Sequence, residues 1–189
     1  MQEPLLEKVL RRFRLSRVLP HIDQGDVLLD VGCGWEAKAL RELAPRLSKG
    51  IGIDFKVEPF NVPSHIKLVA TRFEAADWPV GEAECDKAIM LAVLEHIEPA
   101  LVGATLKNIR RALKPGGKLI LTVPTPPAQP VLEFLSYKLG VINEAEIRDH
   151  KLYYDRPRLE RTLSENGFTI ERYKTFQLGM NSFCVASRA

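Results

Sequence analysis

Apolar positions in the first twenty residues recur at helical spacing. Leu5, Leu6, Val9, Leu10, Phe13 and Val18 share one face, which predicts a helix over residues 4–19 that Pro20 and Gly25 bring to an end. The rhythm then changes to short continuous apolar runs. Residues 27–31, 50–53, 66–70, 87–91 and 118–123 read as five buried strands, each closing on glycine, proline or a polar residue. Between them, residues 35–47 carry Leu40, Leu43 and Leu47 on one face. Residues 99–113 run as a helix into Lys114-Pro115-Gly116-Gly117. Residues 131–140 and 158–166 also read as helices, with Gly167 as the stop, and residues 168–176 and 182–187 close the chain as two strands.

Strands alternating with helices predict an α/β fold: a single domain with a seven-stranded, mostly parallel sheet and helices on both faces. The strands lack polar alternation, as expected when both faces of a sheet are covered. Only residues 177–181 separate the last two strands, too few for a crossover, so these form an antiparallel hairpin at the C-terminal edge. Residues 1–24 are expected as a basic amphipathic helix ahead of a domain over 25–189. Residues 124–157 are long for a simple crossover. They carry Val131, Leu132, Phe134, Leu135, Tyr137 and Leu139, and read as a helical cover over part of the site or as a packing helix.

The chemistry concentrates where strands end. Asp30-Val31-Gly32-Cys33-Gly34 closes the first strand, and its glycines let a ligand approach the backbone. Asp54 ends the second strand, where an acid accepts hydrogen bonds from both hydroxyls of a ribose. In order and at this spacing, the two describe a nucleoside pocket. The dinucleotide pattern GxGxxG is absent, with Ala37 where its last glycine would fall. Asp30, two residues before the first glycine, disfavours a pyrophosphate and suits a ligand that carries an ammonium group.

Together with Gly50-Ile51-Gly52-Ile53-Asp54, this stretch resembles the first two motifs of the class I S-adenosylmethionine-dependent methyltransferases. Leu94-Glu95-His96, Leu113-Lys114-Pro115-Gly116-Gly117-Lys118-Leu119 and Asn166-Gly167-Phe168 extend the likeness to the small bacterial subgroup called type 11/12. The resemblance spans residues 25–187. It implies a Rossmann-like fold, S-adenosyl-L-methionine as cofactor and transfer of a methyl group to a small-molecule, sugar, lipid or carrier-linked acceptor.

Carried over by position, the resemblance gives Asp30, Gly32, Cys33 and Gly34 the methionine part of the cofactor. It gives Asp54 the ribose, Phe55, Phe73 and Glu74 the adenine, and the Leu91 backbone the methionine end. The sequence departs from the subgroup at Glu36, which stands where a glycine is usual; a shift of one residue would put Ala37 in that small site. Leu91-Ala92-Val93-Leu94 follows the fourth strand where base-methylating enzymes carry an Asn-Pro-Pro-Tyr type of tetrapeptide, which argues against nucleic-acid bases as acceptors.

An oxygen or nitrogen acceptor must lose a proton, so a histidine near the site is of interest. His96 follows the fourth strand, and His150 lies in the stretch before the last helix. Both are candidate catalytic residues or acceptor contacts, whereas His21 and His65 sit in loops away from strand ends. Glu95 reads as structural. Tyr153 and Tyr154 read as lining for the acceptor or as packing.

Composition adds three points. The longest apolar run, 88–94, is too short to span a membrane, and the N-terminus lacks a signal-peptide core. Cys33, Cys85 and Cys184 are scattered without metal or disulfide spacing, so no metal is expected and a reducing, cytoplasmic setting is. The net charge of +3 resides in the first twenty residues, where Lys8, Arg11, Arg12, Arg14 and Arg17 face only Glu3 and Glu7. This is either a solvated helix face or a patch for weak contact with an acidic partner such as a membrane surface; nucleic acid is not expected. Two other functions stay open at this stage. One is a non-catalytic module that binds S-adenosylmethionine. The other is an NAD-dependent oxidoreductase, for which the required Tyr-x-x-x-Lys spacing is missing.

Overall fold

A computed structural model describes residues 5–57, 62–137 and 150–189. Seven strands form one sheet in the order β3-β2-β1-β4-β5-β7-β6. They are β1 Val27–Val31, β2 Lys49–Asp54, β3 Ile66–Ala70, β4 Cys85–Leu91, β5 Leu113–Pro124, β6 Phe168–Phe176 and β7 Asn181–Arg188. The first five pair in parallel, while β7 runs antiparallel to both β5 and β6. The last hairpin therefore lies at one edge, its two strands joined by the four-residue turn 177–180. β6 is the outermost strand, largely exposed, and Lys118 pairs with its Glu171 at 2.7 Å.

The continuous apolar runs are explained by two cores, one on each side of the sheet. Leu28, Ile89, Ile120 and Val185 pack with Leu15 and Val18 of α1 (Leu5–Val18) and with Leu40 and Leu43 of α2 (Lys38–Leu43). Their neighbours Leu29, Ala88, Met90, Leu119 and Leu121 point the other way. They pack with Leu106 and Ile109 of α3 (Pro99–Ala112) and with Leu159 and Leu163 of α5 (Arg156–Ser164). Between β5 and α5 lies α4 (Ala128–Tyr137). Both side-chain directions of each central strand are apolar, so the sequence shows no alternation. Gly50 and Gly52 let α2 approach β2: a Cβ on Gly50 would stand 2.9 Å from Leu40 Cδ1, and one on Gly52 would stand 3.1 Å from Leu40 Cδ2. All three cysteines are buried free thiols; burial raises Cys85 and Cys184 to about 12 and Cys33 higher still.

Three elements differ from the sequence reading by three residues or more. The helix expected over 35–47 begins only at Lys38 and gives way to a 3-10 turn at Ala44–Arg46, because the chain at Ala37 is left-handed (φ 46°) and breaks any helix from Trp35. β5 starts at Leu113 rather than 118, since Leu113 already pairs with Cys85 ahead of the Gly116-Gly117 turn. α4 begins at Ala128, ahead of the helix expected over 131–140; of the cover expected over 124–157, residues 138–149 lie outside the described residues and 150–155 carry no regular element. Among the described residues no helix is long and apolar enough to cross a membrane.

Candidate functional site

The parallel strands end together, and beyond their carboxyl ends lies a cavity of about 730 Å³. This is where an open α/β sheet places its ligands. The turn after β1 forms one wall. Gly32 N–H and Cys33 N–H both donate to Ile53 O, at 2.9 and 3.2 Å, which ties the turn to the end of β2. Asp54 braces it from the same side, with Oδ2 accepting from Gly34 N–H at 2.9 Å. Both glycines have positive φ, but for different reasons. A Cβ on Gly32 would stand 2.4 Å from a Val93 methyl carbon, whereas one on Gly34 would meet nothing within 4 Å. Gly34 faces open space; Gly32 is packed.

Asp30 stands at the base of this turn. It is 2% exposed, lines the cavity, and its Oδ2 has no hydrogen-bond partner among the described residues. Burial, and then the charge of Asp54, push its carboxyl up to about 7. A buried acceptor without a donor is costly, and a cationic donor entering the cavity would relieve that cost. An ammonium group fits this position, and the Gly34 backbone beside it has no side chain in the way.

Glu36 pairs with Lys38 at 2.6 Å and is half exposed, so its charge is met at the rim. Ala37 is fully buried in the left-handed conformation that glycine would adopt without strain. The small position of the turn thus falls one residue after Glu36.

The remaining sequence candidates divide into two groups. Leu91, His96 and His150 line the cavity with Asp30, Gly32, Cys33 and Gly34. Asp54, Phe55, Phe73 and Glu74 lie outside its lining, toward β2 and β3. There, exposed Phe55 packs on buried Phe73 with ring centres 4.5 Å apart, and Glu74 pairs with Arg72 at 2.6 Å.

His96 and His150 are far apart in sequence yet meet edge to face, with ring centres 4.7 Å apart. Their meeting is built by the backbone. The 3-10 turn Leu94–His96 follows β4, and Glu95 O accepts from Lys151 N–H at 2.7 Å and from Leu152 N–H at 3.4 Å. Tyr154 N–H donates to Pro124 O at 3.2 Å, which fastens the same segment to the end of β5. The Tyr153 hydroxyl lies 3.0 Å from His150 Nδ1. Tyr154 itself is 1% exposed, and burial pushes its hydroxyl up to about 12. Glu95, read as structural from the sequence, is 1% exposed and lines the same cavity. Its Oε2 has no hydrogen-bond partner among the described residues, and burial pushes the carboxyl up to about 7 against the opposing effects of its own backbone amide and Arg14.

Sequence reasoning missed much of the opposite wall. Leu10, Arg11, Phe13 and Arg14 of α1 line the cavity, and so do Trp35 and the β6–β7 connection at Gln177 and Met180. The only available signal was the three-residue spacing of Arg11 and Arg14, which puts two cations on one helix face.

Comparison with curated proteins returns no match. Among solved structures, the fold is similar to that of a Burkholderia thailandensis 1,6-didemethyltoxoflavin-N1-methyltransferase with bound 1,6-didemethyltoxoflavin and S-adenosylhomocysteine. That likeness has a TM-score of 0.72 at 19% identity and covers 95% of this chain and 78% of the other. An S-adenosylmethionine-dependent methyltransferase from Mesorhizobium loti gives 0.70 at 18%, covering 95% and 98%. One from Methanosarcina mazei gives 0.68 at 17%, covering 91% and 96%. The family described as the methyltransferase domain matches residues 3–173. The chain belongs to this methyltransferase family.

Proposed function

We propose that this methyltransferase takes its methyl group from S-adenosyl-L-methionine and delivers it to a small-molecule, sugar, lipid or carrier-linked acceptor held in the cavity between the glycine turn and the His96–His150 pair. The observation that carries this reading is Asp30: a buried carboxylate oxygen without a donor among the described residues, facing a cavity beside a glycine whose Cβ position is open.

When bound, the cofactor supplies the methyl group and its own leaving group. The chain's part is binding, alignment and exclusion of water. Asp30 accepts hydrogen bonds from the ammonium group, and Gly32, Cys33 and Gly34 bring backbone close to the methionine part. Asp54 holds the ribose while bracing Gly34, and the Leu91 backbone closes the methionine end. Phe55, Phe73 and Glu74, beyond Asp54, take the adenine. His96 and His150 act on the acceptor atom from the far side of the cavity. The bound 1,6-didemethyltoxoflavin in the Burkholderia enzyme supports a small acceptor, and the apolar α4 residues Val131 and Leu132 on this cavity wall support a partly apolar one.

Calorimetric titration with S-adenosylhomocysteine tests the reading. Saturable binding at one site per chain is expected, weakened by Asp30→Asn. Methyl transfer from labelled S-adenosylmethionine into a metabolite extract then identifies the acceptor. Absence of saturable binding refutes the proposal.

A further inference from the structure

We infer that Glu95, His96 and His150 form a binding site for a divalent transition-metal ion on the acceptor side of the cavity. The inference deepens the proposed function, because it names how the two histidines act, and it rests on that function only for the identity of what the ion meets.

One donor atom from each of the three side chains lies within 4.8 Å of the others, and among the described residues no other trio of histidine, cysteine or carboxylate groups comes so close. Three donors sharing one ion at 2.0–2.2 Å stand roughly 3.0–3.5 Å apart, so small rotations of the side chains close the site. The backbone holds the donors near one another: Glu95 O, accepting from Lys151 N–H and Leu152 N–H, ties together the two segments that carry them.

A second observation points to a missing cationic partner. Glu95 is 1% exposed, yet its Oε2 lacks a hydrogen-bond donor among the described residues while the residue lines the cavity. A carboxylate kept dry without a donor is expensive, and an ion bound by it offsets that cost. A third concerns the ring of His150. Its Nδ1 lies 3.0 Å from the Tyr153 hydroxyl, the kind of outer hydrogen bond that fixes the tautomer and orientation of a ligating imidazole.

The donor set sorts the ions. Two imidazoles and one carboxylate suit Zn²⁺, Co²⁺, Mn²⁺ or Fe²⁺ over Mg²⁺ or Ca²⁺, which prefer all-oxygen shells. Three protein ligands leave coordination positions open, as in catalytic rather than structural sites. All three side chains line the cavity, so an acceptor oxygen held there would complete the shell.

The test uses the full chain, purified without a histidine tag and treated with a chelator, titrated with Co²⁺ and followed by its visible ligand-field absorption and by calorimetry. We expect one Co²⁺ per chain with a band typical of mixed nitrogen and oxygen ligation. His96→Ala and His150→Ala each weaken binding roughly tenfold or more. Glu95→Gln gives the same loss, and the partly exposed His96 and His150 provide variants less able to disturb the core than buried Glu95. Lack of saturable Co²⁺ binding, or binding that both histidine variants leave intact, overturns the inference. A parallel titration with S-adenosylhomocysteine separates the two proposals. Nucleoside binding without Co²⁺ binding refutes only the metal site, and Co²⁺ binding without nucleoside binding upholds the site and refutes the assignment of function.

Discussion

Replacing Asp30 by asparagine removes a charge that the free protein bears at a cost. In the fold its carboxyl titrates near 7 instead of 3.8, with burial the main cause and Asp54 the second. The folded state therefore binds more protons than the unfolded state between those two values, and stability falls as pH rises through that window before levelling off above it. The full gap corresponds to ~4 kcal/mol at 1.36 kcal/mol per pH unit. Of this, about 3 kcal/mol is lost between pH 5 and the plateau near neutrality. Asparagine has the same shape and no charge, so the variant escapes this loss. The melting temperature of Asp30→Asn relative to the native protein should rise by roughly 6–12 °C on going from pH 5 to pH 8. Differential scanning calorimetry of both proteins without cofactor at four or five pH values measures it, and other titrating groups cancel in the comparison. The same carboxylate is wanted charged by an ammonium ligand. Binding of S-adenosylhomocysteine to the native protein should thus release a proton below neutrality and weaken by up to about tenfold per pH unit there. A melting difference that is the same at pH 5 and pH 8 would refute the account of Asp30 given above.

Other substitutions probe the remaining parts. Asp54→Ala should weaken S-adenosylhomocysteine binding by about 1–3 kcal/mol in calorimetry, through lost charged hydrogen bonds and a loosened Gly34. Gly32→Ala should destabilise the fold by ~2–4 kcal/mol in chemical denaturation, because its methyl meets Val93 and its φ is 76°. Gly34→Ala should cost only about 1 kcal/mol of stability, yet reduce nucleoside affinity sharply, since its methyl projects into open space. His150→Ala should leave S-adenosylhomocysteine affinity unchanged and lower turnover; loss of nucleoside affinity would show that His150 has been placed on the wrong side of the cavity.

How much of this was legible in the sequence depends on the range of the interactions that set it. The five parallel strands were readable because burial on both faces writes each as an unbroken apolar run. The terminal hairpin was readable because a five-residue connection permits no crossover. The start of α2 was not, because Ala37 adopts a conformation that its own chemistry opposes; a glycine there would have announced the break. The role of α1 was also hidden. Its apolar face is plain, but nothing local tells that Phe13 and Arg14 reach the cavity, since that depends on how the helix docks on the sheet. His96 and His150 could each be picked out, but their pairing is a product of the backbone bonds between Glu95 and Lys151. Glu95 looked structural because an acid in a short turn gives no sign of whether its carboxylate is solvated or shut in.

Because its three thiols are buried and held protonated, the native chain offers a low-reactivity background for site-directed labelling, even at Cys33, which borders the cavity. Cys33, Cys85 and Cys184 are all buried and held as neutral thiols at physiological pH, so an alkylating reagent finds little nucleophile until the protein unfolds. Leu178, at the tip of the last hairpin, is 99% exposed. A cysteine installed there becomes the single fast-reacting handle, and a fluorophore on it sits next to Gln177 at the cavity edge. Ligand entry could then be followed optically in a protein that needs no prior removal of its own cysteines.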